Sequence, residues 1–521
     1  SSELQQVAQR AVSDGLTIYD RRHGYRGPER KLTQDNPDSS TRPVEAWLKA
    51  LAETPVVADL HPAVVSDVLK DRVLVLLEDG SYQVLFWNNG IRQASPYLTE
   101  DSKGRAPTSP PDVLAPGDLI RITRNENGEW HLAQIPAAQA ALVSLAPNDG
   151  AIVSMVGGFW YDQSKFNRAT QAERQPGSNF KPFLYSAALA AGFTAASIIN
   201  DAPVVFEDRF LEDVWRPEND GGKFYGPTRL RWALTKSRNL VSIRLLQQLG
   251  VARLISYADR FGFDTSSFAE DLSLALGTHA MSPLDIATAY AALANGGYAV
   301  KPYLIHKVTN MEGETVFEEQ PLTVCRHCDQ PKTQPDTEMS MEEILAQEIK
   351  QQTGLPRAPR VMDARVNFII DSILQDVITR GTGRRALVLE RSDIAGKTGT
   401  TNGPMDAWFS GYNPDVVTTT WVGFDGYTPL GRREFGGTAA LPIWIDFMRE
   451  ALRNSPEVDR PIPAGIVNVK IDPETGLLGQ PRQKDAISEY FREERVPERA
   501  SNDEGAGSGS KGTDDLIKDI F

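Results

Sequence analysis

Cysteine is nearly absent. The 521-residue chain has two, Cys325 and Cys328, both in the stretch CRHC. Two thiols exclude a disulfide-stapled scaffold of the small secreted kind. They also fall short of a zinc site, which takes about four ligands. His327 lies between them, but the second half of a metal motif is missing and the other histidines are scattered. The expectation is a thiol pair in a loop, closed as a local disulfide where the compartment is oxidising. Positive charge is also in deficit: Lys plus Arg is 55 against 69 acids, a net charge of −14. That balance argues against general binding to nucleic acid or to an anionic membrane surface. No apolar run approaches the roughly 18 residues of a membrane span. The longest, near 183–193, reads as a buried helix. The opening SSELQQVAQRAV has no signal-peptide pattern and reads as a chain entered mid-element.

What is present reads as several domains of a globular protein, with an apolar fraction of 40%. Residues 1–55 look helical and polar, a linker or remnant joining to something upstream. From 56 to 136 the texture is β. DRVLVLLEDGSYQVLFW alternates around Asp79-Gly80, and PGDLIRITRNENGEWHLAQI repeats the design around Asn127-Gly128; both are hairpin signals. A small barrel-like all-β accessory domain is expected there. From 137 to 455 a hairpin, AALVSLAPNDGAIVSMVGG, leads into a helix-rich stretch. LRWALTKSRNLVSIRLLQQLG, SPLDIATAYAALANGG and RVNFIIDSILQDVITRGTG carry apolar residues at helical spacing and stop at glycine. Three strand candidates and a closing helix follow. The class is α+β, an antiparallel sheet flanked by helices. Residues 318–362, rich in Gln, Pro and acids, read as an exposed insertion. After 456, VNVKIDPETGLL reads as one more hairpin before a flexible Gly/Ser-rich tail.

Three short stretches carry candidate chemistry. The first is RQPGSNFKPF, with Ser178 three residues before Lys181. Positions i and i+3 share a helix face, so the amine can reach the hydroxyl. A helix starting near Ser178 would offer free N–H groups to a developing anion. Serine is a weak nucleophile and needs a base; lysine serves only if its pKa falls, by apolar surroundings or a second cation. Phe180 and Phe183 supply the first. The competing reading is a serine N-cap beside a solvated lysine, and the same spacing recurs without a site at Ser508 and Lys511 in the tail. The second stretch is Ser237-Arg238-Asn239, whose serine can relay a proton and whose amide can hold a substrate carbonyl. The third is AGKTGTT, with Lys397, Thr398, Gly399 and Thr400. Its small residues suit a strand that a ligand backbone approaches closely. Its lysine and hydroxyls suit a carboxylate, and the backbone N–H groups of Ser178 and Thr400 could pair as an oxyanion hole. Taken singly, this stretch also reads as an edge strand guarded by a lysine.

Together, in this order, the three form the Ser-x-x-Lys, Ser-x-Asn, Lys-Thr-Gly set of penicillin-binding proteins and serine β-lactamases. The longer contexts, from FNRATQAERQPGSNFKPFLYSAAL to GKTGTTNGPMDAWFSGY, resemble class A, bifunctional penicillin-binding proteins of the type 1a branch of Gram-negative bacteria, over about 137–455. The resemblance implies a D,D-transpeptidase of peptidoglycan synthesis, on the periplasmic face of the inner membrane, inhibited by β-lactams and needing no metal or cofactor. It implies Ser178 as acylated nucleophile, Lys181 as base, Ser237 as proton shuttle and Asn239 as donor-peptide ligand. Lys397 would keep Lys181 neutral and, with Thr398, Gly399 and Thr400, hold the terminal carboxylate. Stem peptides ending in D-Ala-D-Ala would be the substrate, and regulators the expected partners of 56–136. No transglycosylase signature is found, so that domain and the anchor are expected to be missing from this chain. Asp220 stands where the family usually has tyrosine. Trp215, Tyr225, Trp408 and Tyr412 are candidates for the cleft wall or the core. A D,D-carboxypeptidase and a β-lactam sensor or scaffold are the alternatives. A β-lactamase is disfavoured because the acids between 239 and 397, Glu270 among them, lack the Glu-x-x-x-Asn context.

Overall fold

The computed structural model describes residues 1–32, 44–204, 215–325 and 356–499. Ser508, Lys511, Cys328 and His327 lie outside these, as does most of the expected insertion. Cys325 is disulfide-bonded. The described ends of the insertion meet in a bridge between Thr323 and Arg357, and Ala358 and Met362 are buried.

Two antiparallel sheets organise the chain. The accessory sheet holds β1 (Arg30–Lys31), β2 (His61–Val68), β3 (Arg72–Leu76), β4 (Tyr82–Phe86), β5 (Asp118–Arg124) and β6 (Trp130–Ala133). Its order is β1-β5-β2-β3-β4, with β6 also on β5. Both expected hairpins form, β3–β4 and β5–β6. Val73, Val75, Leu85, Ile120 and Ile122 alternate into a small core of its own. The sheet stays open among the described residues, with β4 at one edge.

The central sheet holds β7 (Gln139–Leu145), β8 (Ile152–Val156), β9 (Ala395–Thr400), β10 (Asp406–Tyr412) and β11 (Val417–Gly423), in the order β8-β7-β11-β10-β9. Every residue of β7, β10 and β11 is buried, which requires helices on both faces. Period-two alternation divides them. Ala141, Val143 and Leu145 face one core, shared with helices of 181–378; Ala140 and Leu142 face the other. This second core holds α1 (Ser2–His23), through Val12 and Leu16, and the closing helix Leu441–Ala451.

Residues 1–55, expected to link upstream, divide between the sheets. The Gln5 side chain exchanges two 2.9 Å hydrogen bonds with the Met155 backbone on β8, while β1 pairs with β5. The crossings between the sheets are tied together: Gln134 donates to the Gly24 carbonyl at 2.8 Å and Arg26 to that of Ile135 at 2.6 Å. The C-terminal hairpin also differs from expectation. Ile466–Ile471 pairs along its length with Ile487–Arg492, while the expected local turn adds one antiparallel bridge, Ile471 to Leu478. The more distant strand supplies Phe491, which packs with Ile471 on Ala196.

Candidate active site

The Ser178 stretch forms a 3-10 turn, Gly177–Phe180, that runs into the helix Lys181–Ala191. The helix proper thus starts three residues after Ser178, and the Ser178 side chain caps neither element, so the N-cap alternative fails. The turn is pinned from below. Buried Asn179 donates to Ser410 Oγ at 2.8 Å and accepts from the Tyr290 hydroxyl at its carbonyl, 2.7 Å, and at Oδ1, 3.0 Å. Phe180 and Phe183 sink into the core. Ser178 remains partly exposed and lines an open cleft of roughly 920 Å³.

The Ser237 stretch interrupts what the apolar spacing suggests is one helix. It ends at Thr235 and resumes at Asn239. Between them Ser237 takes φ +59°, a left-handed conformation that costs a non-glycine residue energy unless its surroundings hold it. Here Ser237 N–H donates to Leu234 O and Arg238 N–H to Ala233 O. Asn219, absent from the expected set, holds the next helix: its Oδ1 accepts from Asn239 N–H at 2.8 Å, while its Nδ2 donates to Asp201 at 2.6 Å.

The Lys397 stretch is β9, the edge strand, paired only with β10. Gly399 is needed for close packing within the protein. A Cβ on Gly399 would lie 2.4 Å from Pro176 O, and one on Gly177 2.5 Å from Thr400 O. The two glycines let the Ser178 turn press directly against the strand.

Both lysines are fully buried, and they converge on Ser237. Lys181 Nζ donates to the Ser237 carbonyl at 2.9 Å and to Asn239 Oδ1 at 2.7 Å. Lys397 Nζ donates to Ser237 Oγ at 2.9 Å and to the Thr398 carbonyl at 2.9 Å. Burial first, then the neighbouring Lys397 charge, hold Lys181 well below the usual lysine range, with Asp201 pulling the other way. Burial alone pushes Lys397 down to about 7. Asn239 Nδ2 donates to the Glu218 carbonyl at 2.8 Å.

The threonines are engaged as well. Thr398 Oγ1 and Thr382 Oγ1 are 2.6 Å apart, and Thr400 Oγ1 accepts from Gly436 N–H at 3.1 Å. Ser178, Ser237, Asn239, Thr398 and Thr400 all line the one cleft, together with Trp215 and Asp220. Of the other aromatic candidates, Trp408 and Tyr412 are core residues, bonded to Gln175 O and Asp371 respectively. Tyr225 stacks under Arg238 with 3.3 Å from guanidinium carbon to ring centre. Glu270 is exposed and does not line the cleft.

Comparison with protein families matches residues 140–443 to the penicillin binding protein transpeptidase domain and residues 25–138 to the penicillin-binding protein OB-like domain. The chain is 48% identical over 514 residues to penicillin-binding protein 1A of Pseudomonas aeruginosa, covering 95% of this chain and 61% of that protein. It is 38% identical to penicillin-binding protein 1A of Escherichia coli, covering 95% and 63%. It therefore spans about three fifths of these curated relatives. Among solved structures, the crystal structure of penicillin-binding protein 1A from Haemophilus influenzae superposes with a TM-score of 0.83 at 37% identity, covering 96% of this chain and 72% of that one.

Proposed function

This chain belongs to the penicillin-binding protein transpeptidase family, and we propose that it catalyses D,D-transpeptidation of peptidoglycan stem peptides through an acyl-enzyme on Ser178. The observation that carries this reading is the meeting of two depressed, buried lysines on Ser237 beside the cleft that holds Ser178. A neutral lysine amine has two N–H donors and one lone pair. The two donors of Lys181 go to Ser237 O and Asn239 Oδ1. Its lone pair is left for the Ser178 proton, one helical turn away.

In the proposed cycle Ser178 Oγ attacks the carbonyl carbon of the penultimate D-Ala, and its proton passes to Lys181. The Ser178 and Thr400 N–H groups receive the oxyanion. As the C–N bond breaks, the Ser237 hydroxyl protonates the departing D-Ala amine and takes a proton from the Lys397 ammonium. An acceptor amine then attacks the ester. Its proton returns through Ser237 to Lys397, and Lys181 gives its proton back to Ser178 Oγ. The products are a new amide and free D-Ala, with the enzyme restored. Asn239 holds the donor backbone, and β9, an edge strand, is available to pair with an extended peptide.

A β-lactam enters the same path and stops at the ester. Mass spectrometry after incubation with benzylpenicillin tests the reading. One covalent adduct on the peptide holding Ser178, absent in Ser178→Ala, supports it; an adduct elsewhere, or none, overturns it. Cross-linked product rather than simple D-Ala loss from a stem peptide separates transpeptidation from carboxypeptidation. By analogy with the named relatives, the site works on the periplasmic side of the inner membrane. The OB-like domain is assigned to regulator contacts; its removal should abolish them and spare penicillin acylation.

A further inference from the structure

Lys397, expected to hold the substrate carboxylate, has its ammonium committed inside the protein: it is fully buried and already bonded to Ser237 Oγ and Thr398 O. The charges that reach the cleft surface lie elsewhere. Arg384 and Arg385 line the cleft, are exposed, and make no ion pair among the described residues. Lys236 lines it too, donating to Arg380 O at 2.6 Å. With Arg216 this makes four cationic side chains in the lining against two acids, Glu218 and Asp220. The chain as a whole is acidic, at −14, so the surplus is local.

Position strengthens the case. Thr398 and Thr382 are joined hydroxyl to hydroxyl at 2.6 Å, and Arg384 and Arg385 follow Thr382 by two and three residues. Lys236 is lowered by burial and then by repulsion from Arg238, Arg384 and Arg380. Unrelieved repulsion of this kind falls when an anion arrives. We infer that Arg384 and Arg385 form the carboxylate-reading subsite for donor peptides and penicillins. Thr398 and Thr400 orient the group, and the guanidinium pair supplies the charge that selects for it.

The inference rests on the transpeptidase reading above, and the test separates the two. Acylation rates of Ser178 are measured with benzylpenicillin and with its methyl ester, in the wild type and in Arg384→Gln/Arg385→Gln. The expected result is a loss of about 10- to 100-fold for the free acid, the range of a charge-assisted hydrogen bond. The ester rate should be unchanged, and the salt dependence of the acid rate flattened. Equal loss for both compounds, or no loss for either, overturns the subsite. No adduct on wild-type Ser178 with either compound overturns the transpeptidase reading itself.

Discussion

Lys181 and Lys397 are joined through one residue: Lys181 donates to the carbonyl of Ser237 and Lys397 to its hydroxyl, each at 2.9 Å. Two ammonium groups this close in a dry interior cannot both stay charged cheaply. The arrangement therefore fixes which of the two gives up its proton first, and makes the pair sensitive to any third charge.

Asp201 is that third charge. It is fully buried and opposes the depression of Lys181. Asp201→Asn should lower the Lys181 pKa further and move the acid limb of the acylation rate to lower pH. Lys397→Met, which removes a cation, should raise it and move the limb to higher pH, whatever it does to the maximum rate. A pH profile of penicillin acylation for the two variants checks this; shifts in the same direction refute the proposed coupling.

Folding stability should carry the imprint of Lys397. Its ammonium sits at about 7 in the folded chain, and an unfolded lysine keeps its proton to about 10.4. Across that window the unfolded chain binds the extra proton, so stability rises with pH and falls as pH drops towards the folded value. The unfolding free energy of wild type minus that of Lys397→Met should climb between pH 7 and pH 10, by at most about 1.4 kcal/mol per pH unit. Urea melts at several pH values measure it, and a flat difference contradicts it.

Gly399→Ala should fail by contact with backbone. The added methyl would meet Pro176 O at 2.4 Å and Asn179 Cβ at 2.9 Å. Neither neighbour can swing aside, so the cost should be about 3 kcal/mol, with penicillin acylation lost as the Ser178 turn is pushed off β9. Thermal melts and adduct formation read the two effects; an unchanged melt would mean the turn and strand are less tightly joined than described.

Glu489, on the C-terminal hairpin, is almost fully buried and accepts from Arg231 at 2.6–2.9 Å. Arg231 lies in the helix Leu230–Thr235 that leads into Ser237, and it keeps a second partner in Asp376. Glu489→Gln should cost about 3 kcal/mol, the lower range for breaking a buried pair, measured by urea unfolding. A neutral outcome would mean that the hairpin only covers this helix.

The elements that place the site were largely legible. Both hairpins with their Asp-Gly and Asn-Gly turns, the three consecutive strands and the order of the Ser178, Ser237 and Lys397 stretches follow from local chemistry, which needs no partner to be read. What escaped depends on distant partners. Asn219 and Asp201 look like ordinary loop residues until folding sets them against Asn239 and Lys181. Thr382 looked like the tail of a helix stop, and its hydroxyl contact with Thr398 on β9 joins a turn to a strand sixteen residues on, which no local pattern encodes. The break at Ser237 was hidden because the apolar spacing continues across it; only tertiary hydrogen bonds hold a serine in that conformation. The helix at the start was expected as polar; that Val12 and Leu16 of α1 fill a core beside the central sheet depends on partners more than a hundred residues away.

The paired crossings, Gly24 to Gln134 and Arg26 to Ile135, bring the entrance and exit of the accessory sheet side by side. The OB-like unit is also seated on the catalytic half away from these crossings: Arg432 N–H donates to Asp101, and Val57, Leu60 and Ala133 pack into the second core beside α1. The accessory unit and the catalytic sheet therefore share a packed boundary, not a free joint, and it runs up to β7, the strand next to β11 and two strands away from the one that carries Trp408.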